Sequence, residues 1–297
     1  MNAVAPACAR YSLAEVVENV PMARGTYRLR LADAALAGSI RPGQFLMIRP
    51  GPEGSNEPLL GRPFALYDIV REKGGAATAV DVVYLVIGKG TSALAQRKPG
   101  DRLAIWGPLG NGFEPLASDA SNSPLFVAGG IGQTPFLALG RWWLGRESYG
   151  TELAPGSTNL APSAALFYGV RNKDYLAGVE DFRNAGIEVE IATDDGSEGH
   201  HGFVTDLLTR RLERGDQPGR IVGCGPPGML AALSRIAARN EIPCDVSLEN
   251  HMACGFGACF SCVAPIRQPD GSADLRRVCV EGPIFPAESV DWGRAGH

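Results

Sequence analysis

Polar and apolar residues alternate without a break over Thr26-Tyr27-Arg28-Leu29-Arg30-Leu31, the period of a strand with one buried face. The signal continues in Phe45-Leu46-Met47-Ile48, which follows the turn Pro42-Gly43-Gln44. It recurs in the β-branched and aromatic run at 79–87 (AVDVVYLVI) and in Leu103-Ala104-Ile105-Trp106. Gly and Pro punctuate these segments, so the first third is predicted to be antiparallel β, closed into a small barrel that exposes no edge. From about residue 125 the rhythm changes. Apolar strands at 125–128, 164–169, 187–192, 221–224 and 245–248 alternate with amphipathic segments at 136–145, 173–183, 204–214 and 227–239. Strand–helix–strand repetition of that kind predicts a parallel, doubly wound sheet. Residues 148–162 (SYGTELAPGSTNLAP) read as a surface insertion. The stretch 249–297 follows neither rhythm and has a hairpin candidate at Pro269-Asp270-Gly271-Ser272. At about 50 residues it supports little core of its own, so a metal staple is expected there.

The pattern predicts an α+β multidomain chain. An N-terminal antiparallel β-barrel spans 1–118, a central α/β parallel-sheet nucleotide domain 119–243, and a small C-terminal subdomain 244–297.

Composition narrows the function classes. The 297 residues are 45% hydrophobic and 20% charged with a net charge of −4, so no basic surface is expected to take nucleic acid or anionic lipid. No apolar run approaches a membrane span and no signal layout opens the chain, which leads to the expectation of a cytoplasmic protein. Of seven cysteines, four fall within the last 44 residues. In a long chain without a secretory signal, such crowding points to metal chemistry rather than a disulfide framework.

Cys254, Cys259 and Cys262 form C-x4-C-x2-C, and Cys279 follows after sixteen residues. That is the spacing of plant-type [2Fe–2S] ligation. Three thiolates on one loop must converge on two irons, which demands sharp, partly left-handed turns that Gly255 and Gly257 tolerate. Small Ala258 and Ser261 let backbone N–H groups approach the sulfurs. Structural zinc is the rival for four thiolates, but it favours two separate knuckles. His251 stands three residues before Cys254 and reads as a solvated loop histidine.

Two further constellations bear on nucleotides. Arg62-Pro63-Phe64-Ala65-Leu66 precedes the 79–87 strand, which runs through Val83-Tyr84-Leu85 into Gly88-Lys89-Gly90-Thr91-Ser92 and a helical ALAQR segment. Free N–H groups where a glycine turn enters a helix favour a phosphate, and an arginine nearby would reinforce the cradle. Gly129-Gly130-Ile131-Gly132-Gln133-Thr134-Pro135 follows the first parallel strand, where such turns admit a pyrophosphate. Gly223-Cys224-Gly225-Pro226-Pro227-Gly228-Met229 follows the fourth. Cys224 is either a small buried hydrophobe or a flank of a nicotinamide site. Asp194-Asp195 is either a solvated turn or a partner for ribose hydroxyls. Arg171 and Lys173 are too few for a 2′-phosphate, so NAD(H) is expected over NADP(H).

RPFAL, VVYLVIGKGTSALA and GPLGNGF (107–113), in that order, resemble the FAD-binding barrel of ferredoxin-reductase-like flavoproteins, and the Cys224 turn resembles their C-G-P-x-x-M signature. The Met252-Ala253-Cys254-Gly255-Phe256-Gly257-Ala258-Cys259 loop is similar to M-A-C-G-x-G-A-C of the electron-transfer subunit of NAD-dependent class 1B dihydroorotate dehydrogenase. The likeness covers roughly residues 13–285. It implies FAD held by Arg62, Pro63, Phe64, Ala65, Val83, Tyr84, Leu85, Gly90 and Thr91. It implies NAD(H) at Gly129, Gly130, Gly132, Thr134, Cys224, Gly225, Pro226 and Met229, and a [2Fe–2S] cluster on Cys254, Cys259, Cys262 and Cys279. It also implies an FMN-containing dihydroorotate dehydrogenase catalytic subunit as partner, in a heterotetramer, with electrons passing from that partner through the cluster and FAD to NAD+ in pyrimidine biosynthesis. No acid or base catalyst is expected from this chain. Alternatives are a reductase subunit of another redox complex, of sulfhydrogenase or ferredoxin:NAD oxidoreductase type, and a zinc-stapled binding module. One departure stands out. Such flavoproteins commonly carry Ser or Thr where this chain has Ala65.

Overall fold

The computed structural model describes residues 9–52, 54, 57–72, 75–116, 123–150, 160–268 and 270–294. Most of the insertion expected at 148–162, and Pro269 of the hairpin turn, lie outside the described residues.

The N-terminal region is a single antiparallel sheet of seven strands: β1 (Arg10–Ala23), β2 (Thr26–Ala32), β3 (Phe45–Ile48), β4 (Arg62–Ala65), β5 (Asp68–Arg71), β6 (Ala77–Leu85) and β7 (Arg102–Leu109), in the order β4-β3-β7-β1-β2-β6-β5. The expected closed barrel is instead a curled sheet, because among the described residues no ladder joins β4 to β5. Side chains close the gap. Phe64 of β4 meets Tyr84 of β6 edge-on, ring centroids 5.8 Å apart, and Tyr27 of β2 stacks on Tyr84 at 5.8 Å. Each such pair adds about 0.5–1.5 kcal/mol beyond the area it buries. Two short helices punctuate the sheet. In α1 (Ala34–Ala37) the Asp33 carboxylate accepts from the Leu36 N–H at 2.9 Å, and α2 (Lys89–Leu94) follows β6.

The second sheet has parallel strands β8 (Pro124–Gly129), β9 (Ala164–Val170), β10 (Ile187–Thr193), β11 (His200–His201), β12 (Arg220–Cys224) and β13 (Cys244–Ser247), in the order β11-β10-β9-β8-β12-β13. Between them run α3 (Phe136–Trp143), α4 (Val179–Asn184), α5 (Val204–Glu213) and α6 (Pro227–Arg239). The segment expected as one helix at 173–183 is two. A 3-10 turn at Lys173–Tyr175 and α4 are separated by Gly178, at φ 72, where a Cβ would lie 2.3 Å from the Tyr67 hydroxyl. The C-terminal region contributes the hairpin β14 (Val263–Arg267) and β15 (Ala273–Arg277). It then returns β16 (Ile284–Pro286) antiparallel to β13, so this sheet also takes in strands from within 244–297.

The first sheet separates two apolar cores. Leu46, Ile48 and Phe64 face the core that continues into α3 through Phe136 and Trp142. Phe45, Met47 and Leu109 point the other way, into the core that holds Cys262, Cys279, Val246 and Phe285. The cysteine-bearing segment is thus built onto the outer face of the first sheet.

Candidate functional site

β4 is an edge strand, and its register fixes what the edge offers. The Leu66 N–H donates to the Gln44 carbonyl at 3.0 Å, continuing the β3–β4 ladder, in which Ala65 opposes Phe45 and Pro63 opposes Met47. Antiparallel pairs alternate between bonded and non-bonded, so the N–H and C=O of Ala65 and the C=O of Pro63 face the open edge. Proline has no N–H to lose there, which suits it to that position. Backbone donors and acceptors on an open edge match the polar rim of a flat heterocycle. The Ala65 position supplies its N–H but no hydroxyl.

The remaining expected flavin contacts converge on this strand. Arg62 bends back so that Nη1 donates to the Leu60 and Gly61 carbonyls at 3.1 and 3.0 Å. A Cβ on Gly90 would stand 3.3 Å from Arg62 Nε, so the guanidinium lies across the first turn of α2. Thr91 Oγ1 accepts from the Ile87 and Gly88 N–H groups at 3.0 and 3.2 Å, which makes that hydroxyl a brace of the turn. Val83 and Tyr84 are buried and Leu85 is half-buried on β6. The Tyr84 hydroxyl donates to Asn19 Oδ1 at 3.0 Å.

The two glycine turns of the second sheet also meet. β8 and β12 are parallel neighbours, and a Cβ on Gly132 would fall 2.3 Å from the Cys224 carbonyl oxygen. A Cβ on Gly225 would come within 2.9 Å of the Gly129 nitrogen, and one on Gly129 within 2.8 Å of Met229 Sδ and 2.7 Å of Pro226 Cδ. Gly130, at φ 57, faces open space, and Thr134 is buried beneath the turn. Gln133, also buried, has neither side-chain polar atom hydrogen-bonded. The result is a crevice at the carboxyl ends of adjacent parallel strands, the position where open α/β sheets take nucleotides.

A residue absent from the expected set stands in that crevice. Cys224 Sγ donates to Glu249 Oε1 at 3.9 Å. Burial pushes the Cys224 thiol well up, and burial likewise raises the Glu249 carboxyl, against the opposing effect of the thiol hydrogen bond. Glu249 as a whole residue is exposed, and it is the carboxyl end that turns in beside Cys224. The only sequence signal for it was its place just after the last parallel strand. Just after β10, the Asp195 carboxylate accepts from the Ser197 N–H at 2.9 Å, and Ser197 Oγ accepts from the Lys173 N–H at 2.9 Å. Ser197 hydrogen bonding holds the Asp195 carboxyl below its ordinary value.

The four late cysteines gather at one end of the first sheet. The Cys259 thiol feels Cys254, and the Cys279 thiol feels Cys262 and Cys254. Hydrogen bonding from Ser261, whose Oγ is 3.1 Å from the Cys259 sulfur, lowers that thiol to about 6. Burial raises Cys279 to about 12. Gly255, Gly257 and Phe260 all have positive φ, at 80°, 87° and 55°. Arg277 braces the loop. Nη1 donates to the Gly257 carbonyl at 3.3 Å, Nη2 pairs with Glu281 at 2.7 Å, and the guanidinium covers the Phe260 ring at 4.8 Å. Four thiols on a backbone wound this tightly are the donor set that a binuclear iron–sulfur cluster would take.

The loop is also tied to the first sheet. Trp106 Nε1 donates to the Cys254 carbonyl at 2.8 Å, and Asn111 binds the 281–284 segment beyond Cys279. Neither tie was among the expected site residues.

A family model described as the iron-sulfur cluster binding domain of dihydroorotate dehydrogenase B matches residues 249–291. The dihydroorotate dehydrogenase B (NAD(+)) electron transfer subunit of Desulforamulus reducens is 36% identical over 280 residues, covering 94% of this chain and 97% of that protein. The chain belongs to this family. The corresponding subunit of Geobacillus thermodenitrificans is 37% identical over 276 residues, covering 93% and 96%. A solved structure described as an NADH-dependent reduced ferredoxin-NADP oxidoreductase aligns over 95% of this chain and 91% of its own, with TM-score 0.75 and 26% identity.

Proposed function

We propose that this chain is the electron-transfer subunit of a dihydroorotate dehydrogenase B, an oxidoreductase subunit that delivers electrons from an FMN-containing catalytic partner to NAD+. The observation that carries this reading is the seating of the Cys254 loop on the sheet whose edge strand is Arg62–Ala65. One fold then brings a cluster site, a flavin edge and a dinucleotide crevice together. When bound, the cluster and FAD supply the redox chemistry, taking electrons singly and releasing them in pairs as hydride to NAD+.

The chain's own groups position and tune. Ala65 and Pro63 present backbone polar groups to the flavin rim, Arg62 and the Gly90-Thr91 turn take its phosphates, and Phe64 with Val83, Tyr84 and Leu85 wall the site. Gly129, Gly130, Gly132 and Thr134, with Cys224, Gly225, Pro226 and Met229, admit the nicotinamide dinucleotide. Cys254, Cys259, Cys262 and Cys279 hold the cluster. Residues 1–118 serve the flavin, 119–243 the nucleotide and 244–297 the cluster. Phe256 and Phe260, 59% and 61% exposed on the loop's outer side, suit a contact with the partner in a heterotetramer. Among the described residues no helix is long and apolar enough to cross a membrane, and a cytoplasmic place in pyrimidine biosynthesis follows from the reading.

The 26%-identical solved structure favours a second reading, a reductase subunit of a different redox complex with the same internal wiring. Anaerobic purification, alone and with candidate partners, separates the two. Iron, sulfide and FAD in stoichiometric amount, bleaching by NADH, and NADH formation from dihydroorotate when the catalytic subunit is added are expected. Zinc without flavin would overturn both readings. Cofactors present with no dihydroorotate-dependent activity would leave the second.

A further inference from the structure

Three side chains form a row across the outer face of the first sheet. Met47 of β3 opposes Pro63 of β4 on one side and Trp106 of β7 on the other. Directly opposed residues of antiparallel strands share a face, so the row Pro63–Met47–Trp106 runs from the flavin edge strand inward. The cluster loop lies on this row. A Cβ on Gly255 would meet Met47 Cγ at 2.6 Å and Sδ at 3.0 Å, so only glycine lets the loop come down onto the methionine. Trp106 Nε1 donates to the carbonyl of Cys254, at 2.8 Å. The far side of the same indole lies against Gly61, the residue before Arg62, since a Cβ there would be 2.5 Å from Trp106 Cη2. Met47 is fully buried and Trp106 half-buried, so the contacts exclude water between loop and sheet.

We propose that Met47 and Trp106 are positioning residues of the flavin–cluster electron transfer. They fix the Cys254 side of the cluster against the flavin edge strand, and the Trp106 hydrogen bond sets the electrostatics at that ligand. This rests on the cofactor assignment made above. Each transfer moves one electron and breaks no bond; two of them, with one proton, supply the hydride taken by NAD+. The indole N–H holds the negative end of the Cys254 peptide dipole away from the loop interior. Without that bond the carbonyl is free to turn, and the added electron on the cluster is less well stabilised. Loss of a net hydrogen bond of ordinary strength shifts the electron distribution between cluster and flavin by about fivefold toward flavin, or about 40 mV at 59 mV per tenfold.

The test uses the full chain purified with its cofactors. Trp106→Phe keeps an aromatic ring against Gly61 and removes the donor. Met47→Leu keeps volume and removes the thioether that meets Gly255. Potentials are read by titration monitored by electron paramagnetic resonance, and the lag between flavin bleaching and cluster reduction after NADH by stopped flow. Trp106→Phe is expected to lower the cluster potential by the stated amount and to lengthen the lag. Met47→Leu is expected to lengthen the lag with little change in potential. Should Trp106→Phe fail to retain iron, Met47→Leu decides, and a wild-type lag overturns the proposal. Unchanged potential and lag in a fully loaded Trp106→Phe overturn it as well. A wild-type chain without iron or flavin would instead overturn the cofactor assignment, so the two failures are distinct.

Discussion

Asn111 grips Ile284 with both ends of its side-chain amide: Nδ2 donates to the Ile284 carbonyl at 2.9 Å, and Oδ1 accepts from the Ile284 N–H at 3.2 Å. The Asn111 N–H adds a bond to the Gly282 carbonyl at 2.7 Å. One residue of the first sheet's exit loop therefore holds the strand that carries the chain away from Cys279.

Asn111→Ala would leave an N–H and a carbonyl of Ile284 without partners, at a cost of about 1–3 kcal/mol. Asn111→Asp would do worse than its size suggests, because a carboxylate would face the Ile284 carbonyl with no donor. Faster loss of iron on dilution or chelation is expected in both variants, with flavin retained. Equal rates of iron loss in wild type and Asn111→Ala would contradict the clamp.

The division between what was legible in the sequence and what was not follows contact range. Strands with strict alternation, such as Thr26–Ala32, and the helix Pro227–Arg239 were readable because their pattern is local. The longest strand, Arg10–Ala23, was not. Its register shifts between Val16 and Glu18 and between Pro21 and Ala23, so its apolar residues lose a steady period of two. The four cysteines proposed as ligands stand out by their spacing alone, whereas Asn111 acts on a residue 173 positions away and Trp106 on one 148 away. Nothing in the local sequence marks either. Closure of the first sheet failed as an expectation for a related reason. The sealing contact is the pair Phe64 and Tyr84, made by side chains and not by backbone pairing.

At the nucleotide crevice, Gly132 is where a single methyl should matter most. Its Cβ would overlap the Cys224 carbonyl at 2.3 Å, and backbone cannot yield as a side-chain tip would. Gly132→Ala is expected to push the turn off β12, costing about 1–3 kcal/mol as overpacking commonly does. Under the proposed function, the NADH concentration needed to bleach the flavin rises, while flavin and iron contents hold. A wild-type NADH dependence would remove Gly132 from the dinucleotide site.

Consecutive residues Tyr67 and Asp68 clasp the two sheets in opposite senses. The Tyr67 hydroxyl donates to Asp181 of α4 at 2.7 Å, and Asp68 accepts from the Tyr149 hydroxyl at 2.7 Å and from Arg141 of α3. Desolvation pushes the Asp68 carboxyl up, opposed by the Tyr149 and Arg141 contacts. Asp68→Ala would strand the buried Tyr149 hydroxyl and leave the half-buried Arg141 with Glu147 alone, so a loss of about 2–3 kcal/mol is expected in chemical denaturation. Tyr149→Phe removes one hydrogen bond of the same cluster and should cost nearer 1 kcal/mol. If the order were reversed, the clasp would be held by tyrosine packing and not by the ion pair.

The pH dependence of the crevice turns on Glu249, whose carboxyl is raised by burial beside Cys224. A carboxyl with a folded-state pKa above its unfolded value contributes stability that is complete at pH below the unfolded value. That contribution is lost as pH rises through the folded value. Glu249→Gln removes the titration, so its stability relative to wild type should improve steadily on going from acid to neutral pH. The same ionisation would place a negative charge at the proposed nicotinamide site. That charge stabilises the cationic nicotinamide left as hydride departs, so the rate of flavin reduction by NADH should rise in wild type across that range and stay flatter in the glutamine variant. Denaturation midpoints and stopped-flow rates between about pH 5 and 8 check both expectations. Parallel profiles for wild type and Glu249→Gln would mean that the carboxyl titrates as an ordinary surface glutamate and that Cys224 stands alone in the crevice.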